Sequence, residues 1–200
     1  MKKCSVQDIF KGVDFTPAEI KIVERKFEEL FPKKGDILLR PDHFVYDQYF
    51  VFDGCLRSYF ISQTGKEYTL QFAVNDWWIS DYTAFFTGEK SIFYIDCVAD
   101  AVIYKISKES MEPLYKEVPQ IESFFRIKME RFFGSYQKRI LSELELTAEE
   151  KYLNFINNYP EIEKYIKKYH MASYLGITTE SLSRVRNDLE KKIRFCKILL

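Results

Sequence analysis

Between Gly35 and Ile106 the chain runs through short segments rich in β-branched and aromatic residues, DILLR, QYFVF, CLRSYFI, EYTLQFAV, SIFYIDCV and AVIYKI, with turn signals between them. Asp53-Gly54 and Thr64-Gly65 read as tight hairpin turns, because glycine supplies the positive φ that such turns require. The pattern predicts an antiparallel sheet domain, a sandwich or barrel.

Helical signals flank it. Thr16 as N-cap, Pro17 at the first helical position and Glu19 three residues after the cap open a stretch with Ile20, Val23, Phe27 and Leu30 on one stripe, predicting a helix from Pro17 to about Phe31. After the short segment SKESMEPLYKEV, a long helix is predicted from about Pro119 to Ser142. Its apolar residues Ile121, Phe125, Met129, Phe132, Tyr136 and Ile140 recur at steps of three and four. Two readings fit that stripe: packing on the chain's own sheet, or pairing with its copy in a dimer through Phe125, Met129, Phe132 and Tyr136. Thr147 and Glu150 form a second capping box, opening a further helix and a small helical C-terminal unit.

With 46% hydrophobic residues, 17% aromatic residues, 7 Gly and 6 Pro, the chain has the apolar material for packed cores. No apolar run reaches the roughly 18 residues of a membrane span, and no signal-like stretch follows MKKCSVQDIF, so a cytoplasmic protein without a membrane partner is expected. Cys4, Cys55, Cys97 and Cys196 are scattered, without zinc-ligand spacing, so free thiols, no metal and no cofactor are expected. The formal net charge is zero, yet residues 164–200 hold nine Lys/Arg against three acids, a balance of +6, which leaves −6 on the rest. A basic end on an acidic body suits a polyanionic partner, although a solvated face gives the same run.

Within that basic end lies MASYLGITTESLSRVRNDL, residues 171–189. Two helices joined by a tight turn need a small residue where backbones approach, a turn residue tolerant of left-handed φ, and apolar residues facing inward. Ala172, Gly176 and the set Met171, Leu175, Ile177, Leu182, Val185 and Leu189 meet those needs, and Thr178 is placed to cap the second helix. Thr179, Glu180, Ser183, Arg184 and Asn187 then point outward. Arg can pair with guanine in bidentate fashion and Glu can accept from cytosine, while Lys167, Lys168, Arg186, Lys191 and Lys192 can meet phosphates. Each also reads as an ordinary solvated residue.

This stretch resembles the helix-turn-helix of the Crp/Fnr family, the cyclic-AMP receptor protein and fumarate-nitrate regulator family. KKGDILLR resembles the family's entry to the β-roll, DGCLRSYF its internal hairpin strand, and NDWWISDYTAFFTG with SIFYIDCVADAVIYKI its effector region. The likeness covers nearly the whole chain and is most specific at residues 170–186. It implies an α+β fold: an N-terminal antiparallel β-roll or jelly roll of the cyclic-nucleotide-binding type over residues 1–118, a dimerisation helix and hinge over 119–146, and a winged-helix-type DNA-binding unit over 147–200. It also implies recognition residues at Thr179, Glu180 and Arg184 with Ser183 adjacent, a homodimer on double-stranded DNA, contact with RNA polymerase and a small-molecule effector of unstated identity.

The pattern departs from the family at the nucleotide clamp. The Gly-Glu positions fall on Ile79 and Ser80, and the Arg position falls near Ser91. Without that cation a buried phosphate would lack compensation, so ordinary cyclic-nucleotide binding is not expected. Arg57 could serve from a neighbouring strand or sit in a surface ion pair. Tyr68, Ser80, Tyr82 and Ser91 complete the candidate effector pocket, whose aromatic lining reads either as a site for an apolar or aromatic ligand or as core. Cys4 stands alone where the redox branch needs a cysteine cluster, and neither His43 nor His170 suits an axial haem ligand. After the recognition helix, KKIRFCKILL has strand composition but is short for the two strands of a wing.

An enzyme is not expected: there is no GxSxG, no glycine-rich phosphate loop, no paired metal-ligand motif, and two histidines for base work. The expected function is a bacterial, dimeric, sequence-specific transcription regulator independent of cyclic nucleotides. The alternative is a sensor or interaction module that keeps the fold without binding DNA.

Overall fold

The computed structural model describes residues 4–198, with side chains described through Lys192. The chain opens with α1 (Val6–Ile9) and α2 (Pro17–Glu24), each started by a capping box, Ser5 with Asp8 and Thr16 with Glu19. The helix expected to reach Phe31 stops at Glu24, because the residues after it have better partners elsewhere. Glu28–Leu30 form β1 and pair with residues 103–105, and Glu28 meets Lys105 at 2.8 Å. Phe27 turns into an aromatic cluster with Phe10 and Trp78.

The segments rich in β-branched residues become β2 (Ile37–Leu39), β3 (Asp47–Asp53), β4 (Leu56–Ile61), β5 (Glu67–Ala73), β6 (Trp77–Ile79), β7 (Tyr94–Cys97) and β8 (Val102–Ser107), with α3 (Tyr82–Thr87) before β7. They form two antiparallel four-stranded sheets, β1-β8-β3-β6 and β2-β7-β4-β5, packed as a jelly roll. Strands adjacent in sequence lie in opposite sheets or pair by hairpins, so alternate side chains of both sheets meet inside. Leu56, Ile79, Ile95 and Ile103 are wholly buried there. The Asp53-Gly54 turn does not close the expected hairpin but carries the chain from β3 in one sheet to β4 in the other, and it demands glycine: Gly54 has φ +96, and a Cβ on it would lie 2.4 Å from the Asp100 carbonyl oxygen.

SKESMEPLYKEV is helical, as α4 (Lys108–Glu117), capped by Ser107. The long helix α5 spans Pro119–Glu145. Then come α6 (Ala148–Asn158), opened by the Thr147–Glu150 capping box, α7 (Pro160–Glu163), α8 (Lys168–Leu175) and α9 (Thr179–Ile198). The wing is not formed among the described residues. IRFCKI continues α9 instead, since no glycine or proline after Asp188 provides a turn to end the helix.

One core cluster crosses between the roll and the C-terminal helices. Cys55, Phe72, Val74 and Val98 of the roll pack with Tyr152, Phe155, Ile162, Met171, Ala172, Leu175 and Leu182. Nothing in the apolar pattern of either part foretold this shared core.

Candidate nucleic-acid interface and effector cavity

The local chemistry of residues 171–189 folds as its composition dictates. Gly176 adopts φ +67 and caps α8, its N–H donating to the Ala172 carbonyl. Thr178 Oγ1 accepts from the Ser181 N–H at 3.1 Å and so starts α9. Met171, Ala172, Leu175 and Leu182 are buried, with Ile177, Val185 and Leu189 half-buried against them. The opposite face of α9 presents Glu180, Arg184 and Asn187 exposed, with Thr179 and Ser183 half-exposed beside them. The Glu180 carboxylate is held below the usual range by a hydrogen bond from its own backbone N–H, then by the Thr179 and Thr178 hydroxyls, so it is an ionised acceptor at neutral pH.

The cations around this face divide into two groups. Lys167, Lys168 and Lys191 are exposed; Lys191 stands 3.9 Å from Asp188. Arg186 is not available as expected. It is half-buried, 4.0 Å from Glu163 and over the Tyr152 ring, because position 186 faces α6 and α7 rather than solvent. Lys192 is tied to Glu149 at 2.7 Å.

The unit is docked on the roll. The Ser173 hydroxyl donates to the Glu67 carbonyl at 2.9 Å and accepts from the Thr69 N–H at 2.9 Å, so the Thr69 hydroxyl, 3.0 Å away, is the donor to it. These bonds satisfy the outer edge of β5, the terminal strand of its sheet. From α5, Arg139 donates to the carbonyls of Leu70, Thr69 and Tyr174 and lies over the Tyr174 ring at 4.0 Å. A single side chain therefore joins the long helix, the roll and α8.

His170 is buried in the same contact. Desolvation, with Arg57, Lys167 and Lys34 nearby, pushes its imidazole down to about 4 from the ordinary 6.5, and the neutral ring's Nδ1 accepts from the Lys167 N–H at 3.4 Å. The unfolded chain takes up this proton first as pH falls, so the stability due to the neutral ring is whole above about 6.5 and drains away toward about 4. Urea midpoints should drop across that window in the native protein, and His170→Gln should flatten the dependence. An unchanged pH profile in that variant would place the acid sensitivity in other groups.

The effector residues separate. Ser80 and Tyr82 line a cavity of about 720 Å³ bounded by the roll, α5 and the C-terminal helices, together with Trp77, Trp78, Phe93 and Gln71. Arg57 does not reach it. Its guanidinium is buried and neutralised, by Asp96 at 3.1 and 2.8 Å and by Glu67 at 2.7 Å, since strand pairing sets Arg57 opposite Asp96. Tyr68 stacks on Phe60, away from the cavity wall. Ser91 is buried and turned to Asp81, donating at 2.8 Å, and Ile79 is wholly buried.

Of the expected dimer residues, Phe125 and Met129 are withdrawn from solvent, whereas Phe132 and Tyr136 remain 44% and 47% exposed. Phe125 is buried with Phe10 and Trp78, and Phe125, Met129, Phe132 and Tyr136 all line the cavity. α5 also exposes Phe133, Ile140 and Leu144, with Leu141 beside them, at 62%, 44%, 81% and 61%. Steps of seven and four place the first three on one side of the helix, and Ile140 already belongs to the stripe read from the sequence. The apolar stripe of α5 is broad: one edge borders the cavity, and the other, through Phe133 and Leu144, meets solvent.

No group of acids, histidines or cysteines able to hold a metal occurs among the described residues, and no helix there is long and apolar enough to cross a membrane. No family model matches the chain. Among curated proteins it is 22% identical to the regulatory protein HlyX of Actinobacillus pleuropneumoniae, over 95% of this chain and 83% of that one. It is 21% identical to the anaerobic regulatory protein of Haemophilus influenzae, over 94% and 77%. Its fold matches the c-di-GMP-responsive global regulator CLP of Xanthomonas campestris with a TM-score of 0.72 at 11% identity, over 88% of this chain and 93% of that one. It also matches a transcriptional regulator of the Crp/Fnr family from Eubacterium rectale, TM-score 0.69 at 18% identity over 89% and 85%. A third match is FixK2 of Bradyrhizobium japonicum, TM-score 0.68 at 17% identity over 83% and 85%.

Proposed function

We propose, from the premise that this chain is a Crp/Fnr-type regulator, that it is a transcription regulator that binds double-stranded DNA in a sequence-specific manner as a homodimer. The observation that carries this reading is the exposed polar face of α9, seated on a helix-turn-helix with its apolar side buried. Arg184 donates to guanine, Glu180 and Thr179 contact neighbouring base edges, Ser183 and Asn187 border them, and the Thr178 cap fixes the entry of the helix. Lys167, Lys168 and Lys191 hold phosphates. In this division residues 1–118 sense, 119–146 pair the subunits through the exposed apolar stripe of α5, which Phe132, Tyr136, Phe133, Ile140 and Leu144 make, and 147–200 read DNA in the cytoplasm. A small-molecule effector and a contact with RNA polymerase belong to the reading through the family likeness alone. The relatives are regulators rather than enzymes, which favours a protein without catalysis.

Cyclic nucleotides are not the effector in this reading. The clamp positions hold a buried Ile79, a Ser80 bonded to the Asp47 carbonyl and a Ser91 bonded to Asp81, and Arg57, the arginine considered from the neighbouring strand, is already neutralised by two carboxylates. Selection of bound duplexes from a random library tests both parts. The expected product is a palindrome with half-sites about 10–10.5 base pairs, or a multiple of that, between centres. Millimolar cyclic AMP or cyclic GMP should not alter enrichment. Absence of any enriched sequence at low salt would support the sensor module without DNA binding.

A further inference from the structure

The joint between α5 and α6 is short. Leu146 (φ −83, ψ 144) and Thr147 (φ −67, ψ 164) are both extended, so one helix ends at Glu145 and the next begins at Ala148. Each of these residues carries two soft dihedrals, and the joint by itself lets α6–α9 swing about the end of α5. The shared core of Phe72, Phe155 and Leu175 holds the C-terminal helices against the roll. Apolar burial follows area rather than direction, so that core fixes nearness better than it fixes angle.

Fixing an angle takes a directional contact, and Arg139 makes one about two turns before the joint. It donates from Nη1 to the Leu70 carbonyl and from Nη2 to the Thr69 and Tyr174 carbonyls, each at 3.2 Å, while its guanidinium lies 4.0 Å from the centre of the Tyr174 ring. The acceptors belong to β5 and to the last turn of α8, where Tyr174 carries one of the four carbonyls that a helix C-terminus leaves without an internal partner. Glu143, one turn further along the same side of α5, is taken by Lys151 at 2.9 Å, and Arg139 has no carboxylate partner among the described residues. Its contacts therefore set position rather than neutralise charge. A planar fork is satisfied only when β5 and α8 stand in one arrangement before it. Ser173, next to Tyr174, is bonded to the Glu67 carbonyl and the Thr69 N–H in that same arrangement. The reading face of α9 stays exposed in it, so the contact leaves that face free to meet DNA.

We propose that Arg139 is a positioning residue that sets the spacing of the two half-sites a dimer reads. In a homodimer paired through α5, the angle between α5 and α9 in each subunit determines the separation and twist of the two reading helices. One base pair turns a half-site by about 35° around the duplex, so a dimer held at one angle engages both half-sites on one spacing and loses the second on another. Lysine at this position would keep the charge without the fork, and a single ammonium cannot bridge carbonyls of two elements in one plane. The inference rests on the regulatory reading given above and adds to it a residue that acts through the placement of α9.

Titrations of the full chain on the selected palindrome, on versions with the half-sites moved by one and two base pairs, and on a lone half-site test the proposal. The native protein should prefer the selected spacing by about 10²-fold or more, the gain that simultaneous engagement provides. Arg139→Gln should shrink that preference by at least about tenfold, with lone half-site affinity, base preference and circular dichroism unchanged. Arg139→Lys should behave in the same way. Spacing preference intact in Arg139→Gln, restored in Arg139→Lys, or accompanied by equal loss on the lone half-site would overturn the proposal. Hydrogen exchange without DNA separates this inference from the regulatory reading. The Thr69 amide, bonded to Ser173 while α8 is seated, should exchange several-fold faster in Arg139→Gln. Unchanged exchange would overturn the positioning role whatever DNA does, whereas faster exchange in a protein that selects no duplex would overturn the regulatory reading, and the half-site role with it.

Discussion

Glutamate at both Phe133 and Leu144 should convert the protein to monomers and lower its affinity for a palindromic site by roughly 10²–10⁴-fold, the gain that linking two binding modules provides. The reason begins with exposure. Leu144 is 81% and Phe133 62% exposed, with Ile140 between them on the same side of α5, a contiguous apolar strip that a monomer does not normally leave in water. In a two-fold dimer each helix meets its own copy, so each new carboxylate would face apolar side chains and another carboxylate across the axis. These residues lie outside the cavity and outside the roll's core, so the roll should keep its thermal stability. Light scattering gives the mass and a titration on the selected palindrome gives the affinity. A folded double variant that stayed dimeric would move the interface away from α5.

The stripe on α5 also shows what the sequence made plain and what it left open. The helix itself was plain from its periodicity, and its length was close: Pro119–Glu145 against an expected end near Ser142. Whether the stripe packs on the roll or pairs with a copy stayed open, because adjacent aromatic pairs, Phe124 with Phe125 and Phe132 with Phe133, place apolar surface on more than one side. The helix-turn-helix was legible in detail since its determinants are local: one left-handed glycine, one capping threonine and an alternation of buried and exposed positions within nineteen residues. The roll was legible as antiparallel strands separated by Asp53-Gly54 and Thr64-Gly65. Arg57 was not, since its partners Asp96 and Glu67 come from strands on either side of β4 and become neighbours only through pairing. The shared core of Phe72 with Phe155 and Tyr174 is equally a product of tertiary contact. Cys196, expected to be a free thiol, lies outside the described side chains.

Arg184 carries the most specific expectation. Its side chain is exposed on the reading face, one turn beyond Glu180, with no carboxylate partner among the described residues. A bidentate pair with guanine contributes about 1–3 kcal/mol of discrimination against the wrong base, whereas a lysine on a phosphate contributes affinity without sequence information. The two kinds of contact therefore fail differently. Lys191→Ala should weaken all duplexes alike and reduce the dependence of log affinity on log salt by about one unit, because one fewer counterion is released. Arg184→Ala should weaken the preferred duplex and level the difference between it and one particular single-base variant.

The most direct test that α9 reads DNA is a titration of Arg184→Ala against the selected palindrome and its complete set of single-base variants, at several salt concentrations. Loss of about 1–3 kcal/mol on the preferred site, with discrimination flattened at one base pair of each half-site, is the expected result. Equal weakening on every duplex, with the preference among bases intact, would make Arg184 a phosphate contact and would contradict the assignment of this face of α9 as the reader of sequence.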